Sequence, residues 1–394
     1  MKGCNIMKKV FAIALAAMMV VAMFAGCAAS GSNGYTANNT EFVIGVSGPL
    51  TGAAAIYGTA VANSAQMAVD EINEAGGFNG VKFKLVAMDD KHDATLVSGN
   101  YSAMLEQGMQ LSLGTVTTAP GLEFKNLAKE DNVFFLTPSA SGDKIPEYDN
   151  GFQMCFADGN QGAVAAKFVN ENLAGKTIGA FYKSDEDYSK GIFQQFMNNL
   201  DETVTVIETS FTDAGATDFS TQIDTLKDCE FIFMPTYYQP ASLFMTQAKD
   251  ILSKSAVYYG CDGFDGIDSQ EGFDIATSPQ AVTMLSHFNS TAEEGKAQEF
   301  IAKYTEKFGT DTLNQFGASA YDCVYALIGA MQKAVEEGKE IDVTISASDL
   351  CEILKEQFAG DYTVTDAVTG AEIKWEANGY VNKSAIQYVI KEAN

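Results

Sequence analysis

Three stretches of this chain carry side chains that could do binding chemistry. Thr115-Val116-Thr117-Thr118-Ala119-Pro120 and Thr137-Pro138-Ser139-Ala140-Ser141-Gly142 each follow a short apolar run and are crowded with hydroxyls, while Cys261-Asp262-Gly263 sets a carboxylate after the run 256–259. Hydroxyls and unpaired amides bind an anion; an acid binds a cation. Either hydroxyl-rich loop alone reads as helix capping, which Thr and Ser do routinely, whereas the pair reads as a site. Tyr188 and Tyr237 stand beyond two further apolar runs and add an aromatic wall to Asp262. A fourth stretch, Glu41 to Gly58 (EFVIGVSGPLTGAAAIYG), runs from an apolar strand through small residues to Tyr57. Its glycines and alanines let something approach the backbone, so Tyr57 is either one wall of a cleft or an exposed ring on an ordinary turn.

All 25 cationic side chains are lysine, since the sequence contains no arginine. A ligand carboxylate therefore meets hydroxyls, amides, helix N-termini or lysine, never a guanidinium fork. Only two histidines exist, His92 and His287, and no G-x-S-x-G, H-E-x-x-H or G-x-x-x-x-G-K-[ST] pattern occurs. The expected function is binding rather than catalysis, with no cofactor. The run Asp89-Asp90-Lys91-His92-Asp93 has metal-ligand residue types, but sequential acids beside a lysine read as a solvated turn, and no metal is expected.

The elements that would position these residues alternate between strand and helix. Strand 42–46 and helix 59–75, with Val61, Ala65, Ala68, Val69 and Ile72 on one stripe, form a first βα unit closed by Gly76-Gly77. Such alternation predicts an α/β fold with mostly parallel sheets, whose loops after the strands share one ligand-binding edge. The pattern restarts after Phe156, which predicts two doubly wound, Rossmann-like lobes: 41–157 with 287–360, and 158–286 with 361–394. A chain that crosses between lobes more than once makes a hinge of several segments, suited to closing over a ligand. Asn378-Gly379 marks a hairpin in the tail.

Residues 1–26 stand apart: Lys2, Lys8 and Lys9 precede the apolar run Val10 to Met23, and the sequence predicts an export signal peptide there. Phe24-Ala25-Gly26-Cys27 resembles the lipobox of bacterial lipoproteins, which implies a lipid on Cys27 and membrane contact through that anchor only. Residues 27–40 read as a flexible, Gly/Ser-rich tether. Without the signal, 22 lysines face 51 acids, which argues against nucleic acid and suits a protein outside the cell; with the lipobox resemblance the expected location is extracytoplasmic and lipid-anchored. The five cysteines beyond residue 27 show no regular spacing and read as small buried hydrophobes.

In order along the chain, SGPLTG…YG (47–58), DEINEAGG (70–77), DDKHD (89–93), GTVTTAP (114–120), TPSAS (137–141), DYSKG (187–191), TDFSTQI (217–223), PTYYQP (235–240) and CDGFDG (261–266) form a succession. It resembles the extracytoplasmic branched-chain amino-acid-binding proteins, the leucine/isoleucine/valine group of type I solute-binding proteins serving ABC transporters. The resemblance implies a monomer that closes two lobes over an aliphatic amino acid and delivers it to the permease subunits. It implies that the Thr118 hydroxyl and N–H and the Ser141 N–H hold the ligand carboxylate. The Ser139 carbonyl, the Ser141 hydroxyl and Asp262 would take the ammonium, with Ala140 between the two serines in the binding set. Tyr57, Tyr188 and Tyr237 would enclose the side chain. The chain departs from the family where Thr118 replaces the more usual Ser, where Asp262 replaces a frequent Glu, and in lacking the family's paired cysteines near DDKHD. Relatives bind other small amino acids, amides or urea-like solutes, or feed a sensor instead of a transporter, so these alternatives stay open.

Overall fold

A computed structural model of the chain describes residues 39–212 and 216–393. The expected signal peptide, Cys27 and the tether up to residue 38 lie outside the described residues. β1 (Phe42–Gly48) is buried along its whole length, because apolar or small residues occupy both of its faces. It pairs in parallel with β2 (Phe83–Asp89) on one side and β3 (Leu111–Thr115) on the other. β4 (Phe135–Thr137) and β5 (Gly151–Gln153) extend the sheet, giving the order β2-β1-β3-β4-β5. The order reverses between β1 and β3, so the loops leaving β1, β3 and β4 open at a topological switch point.

The second sheet has the order β13-β10-β9-β8-β6-β7. β6 (Thr177–Lys183), β7 (Thr205–Phe211), β8 (Phe231–Met234), β9 (Val257–Gly260) and β10 (Ala281–Ser286) run parallel, and β13 (Ile386–Lys391) pairs antiparallel with β10. Its switch point lies between β6 and β8, which brings the loops carrying Tyr188, Tyr237 and Asp262 to one edge. The chain passes between the two sheets after β5, after β10 and before β13.

Several elements differ from their sequence expectation. The first helix is Ala55–Glu74, so Tyr57 sits in its first turn rather than at the end of a loop. Ala53 to Ala55 read as loop because they are small, yet alanine is the strongest helix former. The helix stops where expected: the Gly77 N–H returns to the Ile72 carbonyl at 2.9 Å, and Gly77 holds φ at 71°. Gly58 lies so close to the β1 loop that a Cβ there would stand 2.1 Å from the Pro49 carbonyl oxygen.

A helix at Ala347–Phe358 adds to the expected set. Its signals are in the sequence, with Leu350, Leu354 and Phe358 on one stripe and Ser346 accepting from the Asp349 N–H as cap. Of the tail after residue 361, only β13 joins the second sheet. β11 (Thr363–Thr365) pairs with β12 (Glu372–Lys374), and Trp375 packs its ring 4.6 Å from Phe358 while donating Nε1–H to the Gln153 carbonyl at 2.7 Å. At Asn378-Gly379 the chain turns with Gly379 at φ 84°, flanked by a single antiparallel bridge, Trp375 to Val381.

Candidate functional site

The edges of the two sheets face each other across a narrow cleft. Its walls include Tyr57, Thr118, Ser139 and Ser141 from the first half and Tyr188, Tyr237 and Asp262 from the second. Seven of the eight binding residues expected from the sequence thus share one hollow. Ala140 does not line it, because both its backbone groups are used inside the first half: its N–H donates to Thr137 Oγ1 at 3.0 Å, and its carbonyl accepts from Gln153 Nε2 at 2.9 Å. The cleft is closed down to about 10 Å³, the room of roughly one water.

On the first wall, Thr118 opens the helix Thr118–Asp131 and is buried. A helix start leaves amides without intrahelical partners and carries the positive end of the macrodipole. Thr118 Oγ1 also has no hydrogen-bond partner among the described residues, although buried hydroxyls usually find one. Hydroxyl and helix start together make an anion site whose hydroxyl is uncommitted. Ser141 is buried beside it, and its carbonyl accepts from the Asp158 N–H at 2.8 Å.

The second wall is built around Asp262, which is 1% exposed. Tyr188 donates its O–H to Asp262 Oδ1, and the same phenol oxygen accepts from the Gly263 N–H at 2.8 Å. The Tyr188 ring stacks flat on Tyr237, with centroids 4.5 Å apart. Gln161 accepts from the Asp262 N–H at 2.9 Å, which fixes the backbone of this turn. Burial raises the Asp262 carboxyl to about 6, against the opposing hydrogen bonds from Tyr188 and Gln161. Asp262 is therefore a desolvated acid that gains by meeting a cation.

Tyr57 crosses the gap. Its O–H donates to the Gly263 carbonyl at 2.5 Å, and its ring meets Phe316 edge-on at 4.9 Å. It is 1% exposed, so the reading of an exposed ring fails. The turn expected to be solvated, Asp89 to Asp93, also reaches inward. Asp90 is fully buried and accepts from the Ser47 hydroxyl at 3.0 Å, and Asp89 accepts from the Leu50 N–H at 2.9 Å. His92 stands 2.9 Å from Thr117 Oγ1 through Nδ1 and 3.1 Å from Glu186 Oε1 through Nε2, a second contact between the halves.

Phe316, which lines the hollow, and Asp158, beside it, were not legible in the sequence as site residues. Asp158 begins the helix Asp158–Asn172 and is buried next to Ser141 and Asp262. Burial, then the charge of Asp262, push its carboxyl well above the usual range, against a hydrogen bond from Ser141. The charge of Asp262 thus disfavours ionisation of Asp158. All five cysteines after residue 27 are free and buried, as small hydrophobes.

A family model described as periplasmic binding protein matches residues 41–361. The leucine-, isoleucine-, valine-, threonine- and alanine-binding protein of Pseudomonas aeruginosa is 26% identical over 332 residues, 81% of this chain and 85% of that one. The Leu/Ile/Val-binding protein BraC3 of Rhizobium johnstonii is 25% identical over 360 residues, covering 87% and 94% of the two chains. Among solved structures, the isoleucine complex of the branched-chain amino-acid transporter substrate-binding protein LivJ from Streptococcus pneumoniae superposes with a TM-score of 0.71 at 25% identity, over 88% of this chain and 100% of that one. The leucine-binding protein LivK of Thermotoga maritima shares the fold with a TM-score of 0.75 at 22% identity, over 90% and 96%.

Proposed function

The chain belongs to the periplasmic binding protein family, and from that premise we propose that it captures an aliphatic, branched-chain α-amino acid outside the cytoplasm and hands it to the permease of an ABC transporter. The observation that carries this reading is the polarity of the cleft: an uncommitted hydroxyl at a helix start on one wall and a buried acid on the other. A zwitterion presents the matching pair of charges. Thr118 and the Ser141 N–H take the carboxylate; Asp262, the Ser139 carbonyl and the Ser141 hydroxyl take the ammonium; Tyr57, Tyr188 and Tyr237 cover the hydrocarbon. The closed cleft is narrower than an amino acid, so the halves part to admit the ligand and close on it. The protein acts as a monomer, tethered through a lipid on Cys27. Among the described residues no helix is long and apolar enough to cross a membrane.

A thermal-shift screen of the natural amino acids tests the reading. A ligand at a hundred times its Kd adds ~2.7 kcal/mol to stability, so leucine, isoleucine or valine is expected to raise the Tm by several degrees. No shift with any of the three would remove the branched-chain assignment. Tyr57→Phe is a finer test. It deletes the bond to the Gly263 carbonyl, worth about 0.5–1.5 kcal/mol and made across the cleft. Calorimetric titration is expected to give a several-fold weaker Kd; an unchanged Kd would show that this bond does not help closure.

A further inference from the structure

A second cavity, of about 460 Å³, lies beside the cleft and has only Tyr237 in common with it. Phe211, Phe219, Leu243 and Phe273 give it an apolar wall. Set into that wall are two polar groups that the fold leaves unfinished. The Glu186 side chain is 9% exposed; Oε1 meets His92 Nε2 at 3.1 Å, but Oε2 has no hydrogen-bond partner among the described residues. Thr236, also in the wall, is fully buried, and its Oγ1 has no partner among the described residues either. A buried carboxylate oxygen and a buried hydroxyl are each costly when unpaired, and a ligand that donates to both removes the cost.

The charges around the cavity favour a cation. Lys183 lines it, but its ammonium is already paired with Asp185 at 2.9 Å, and Glu271 adds a further acid at the wall. We propose that this cavity binds a small apolar primary amine, its ammonium on Glu186 Oε2 and Thr236 Oγ1 and its hydrocarbon against the phenylalanines. Ala53, Ala54 and His92 line it from the first half and the other residues from the second. An occupant therefore touches both halves and favours their closed arrangement. This site does not depend on the amino-acid reading of the neighbouring cleft.

Phenethylamine and 3-phenylpropanoate carry the same ring on opposite charges and serve as probes. Calorimetric titration of the full chain in saturating leucine is expected to show phenethylamine binding and no binding of the acid. Glu186→Gln is expected to weaken phenethylamine at least tenfold, and Thr236→Val several-fold, with thermal melts reporting that each variant folds. The proposal is overturned if the wild type ignores phenethylamine, if the acid binds equally well, if leucine displaces the amine, or if Glu186→Gln binds it like the wild type. Should Glu186→Gln fail to fold, an unchanged affinity in Thr236→Val overturns it. If leucine itself does not bind, the proposed function fails while the amine titration still decides this cavity.

Discussion

Asp262→Ala is expected to weaken amino-acid binding by about thirtyfold or more, the largest loss of any single substitution in the cleft. The reason lies in what the cleft offers an ammonium once closed. Thr118, Ser139 and Ser141 supply hydroxyls and carbonyls, all neutral, and Asp262 is the acid set in the facing wall. Removing one partner of a buried, hydrogen-bonded charge pair costs about 2–5 kcal/mol, because the other charge is left desolvated without compensation. Asp158 is a poor replacement, since burial, the largest cause raising its carboxyl, persists when Asp262 is gone. Titration calorimetry reads the result directly. A variant with wild-type affinity would mean that the ammonium does not face Asp262, and the orientation assigned to the ligand would be wrong.

The same residues show what the sequence alone could and could not supply. Thr118, Ser141 and Asp262 were readable because a buried strand followed by a polar loop is a local pattern, and a parallel sheet gathers such loops at one edge. Tyr57 was ambiguous because nothing local says what covers a ring; its partner, the Gly263 carbonyl, lies 206 residues away. The Asp89 to Asp93 turn looked solvated for the same reason, since His92 finds Glu186 94 residues later. Asp158 was hidden differently. An acid in the first turn of a helix reads as favourable to the helix dipole, and only its tertiary nearness to Asp262 gives it another meaning. Ala140 erred in the opposite direction: it sits between two lining serines, yet Thr137 and Gln153 hold its backbone groups inside the first half.

Tyr188→Phe is expected to weaken binding ten- to a hundredfold and to shift its pH dependence, two effects with one cause. The phenol donates to Asp262 and accepts from the Gly263 N–H at 2.8 Å, so its loss takes a donor from a buried carboxylate and an acceptor from a buried amide, at about 1–3 kcal/mol. In the wild type, burial holds Asp262 near 6 without ligand, while a bound ammonium favours the charged form and lowers it. Affinity is then constant above about pH 6 and falls about tenfold per pH unit below it, because the ligand must displace a proton. The Tyr188 hydrogen bond stabilises the carboxylate, so its deletion raises the unliganded value and starts the fall at a higher pH. Stability of the unliganded protein runs the other way. A carboxyl raised from 3.8 to about 6 contributes stability that is full below pH ~4 and is lost as the pH rises through 6. Titrations from pH 5 to 8, paired with melts in the absence of ligand, separate the two trends; affinity that is flat across this range in both proteins would show that Asp262 does not bind the ligand as a carboxylate.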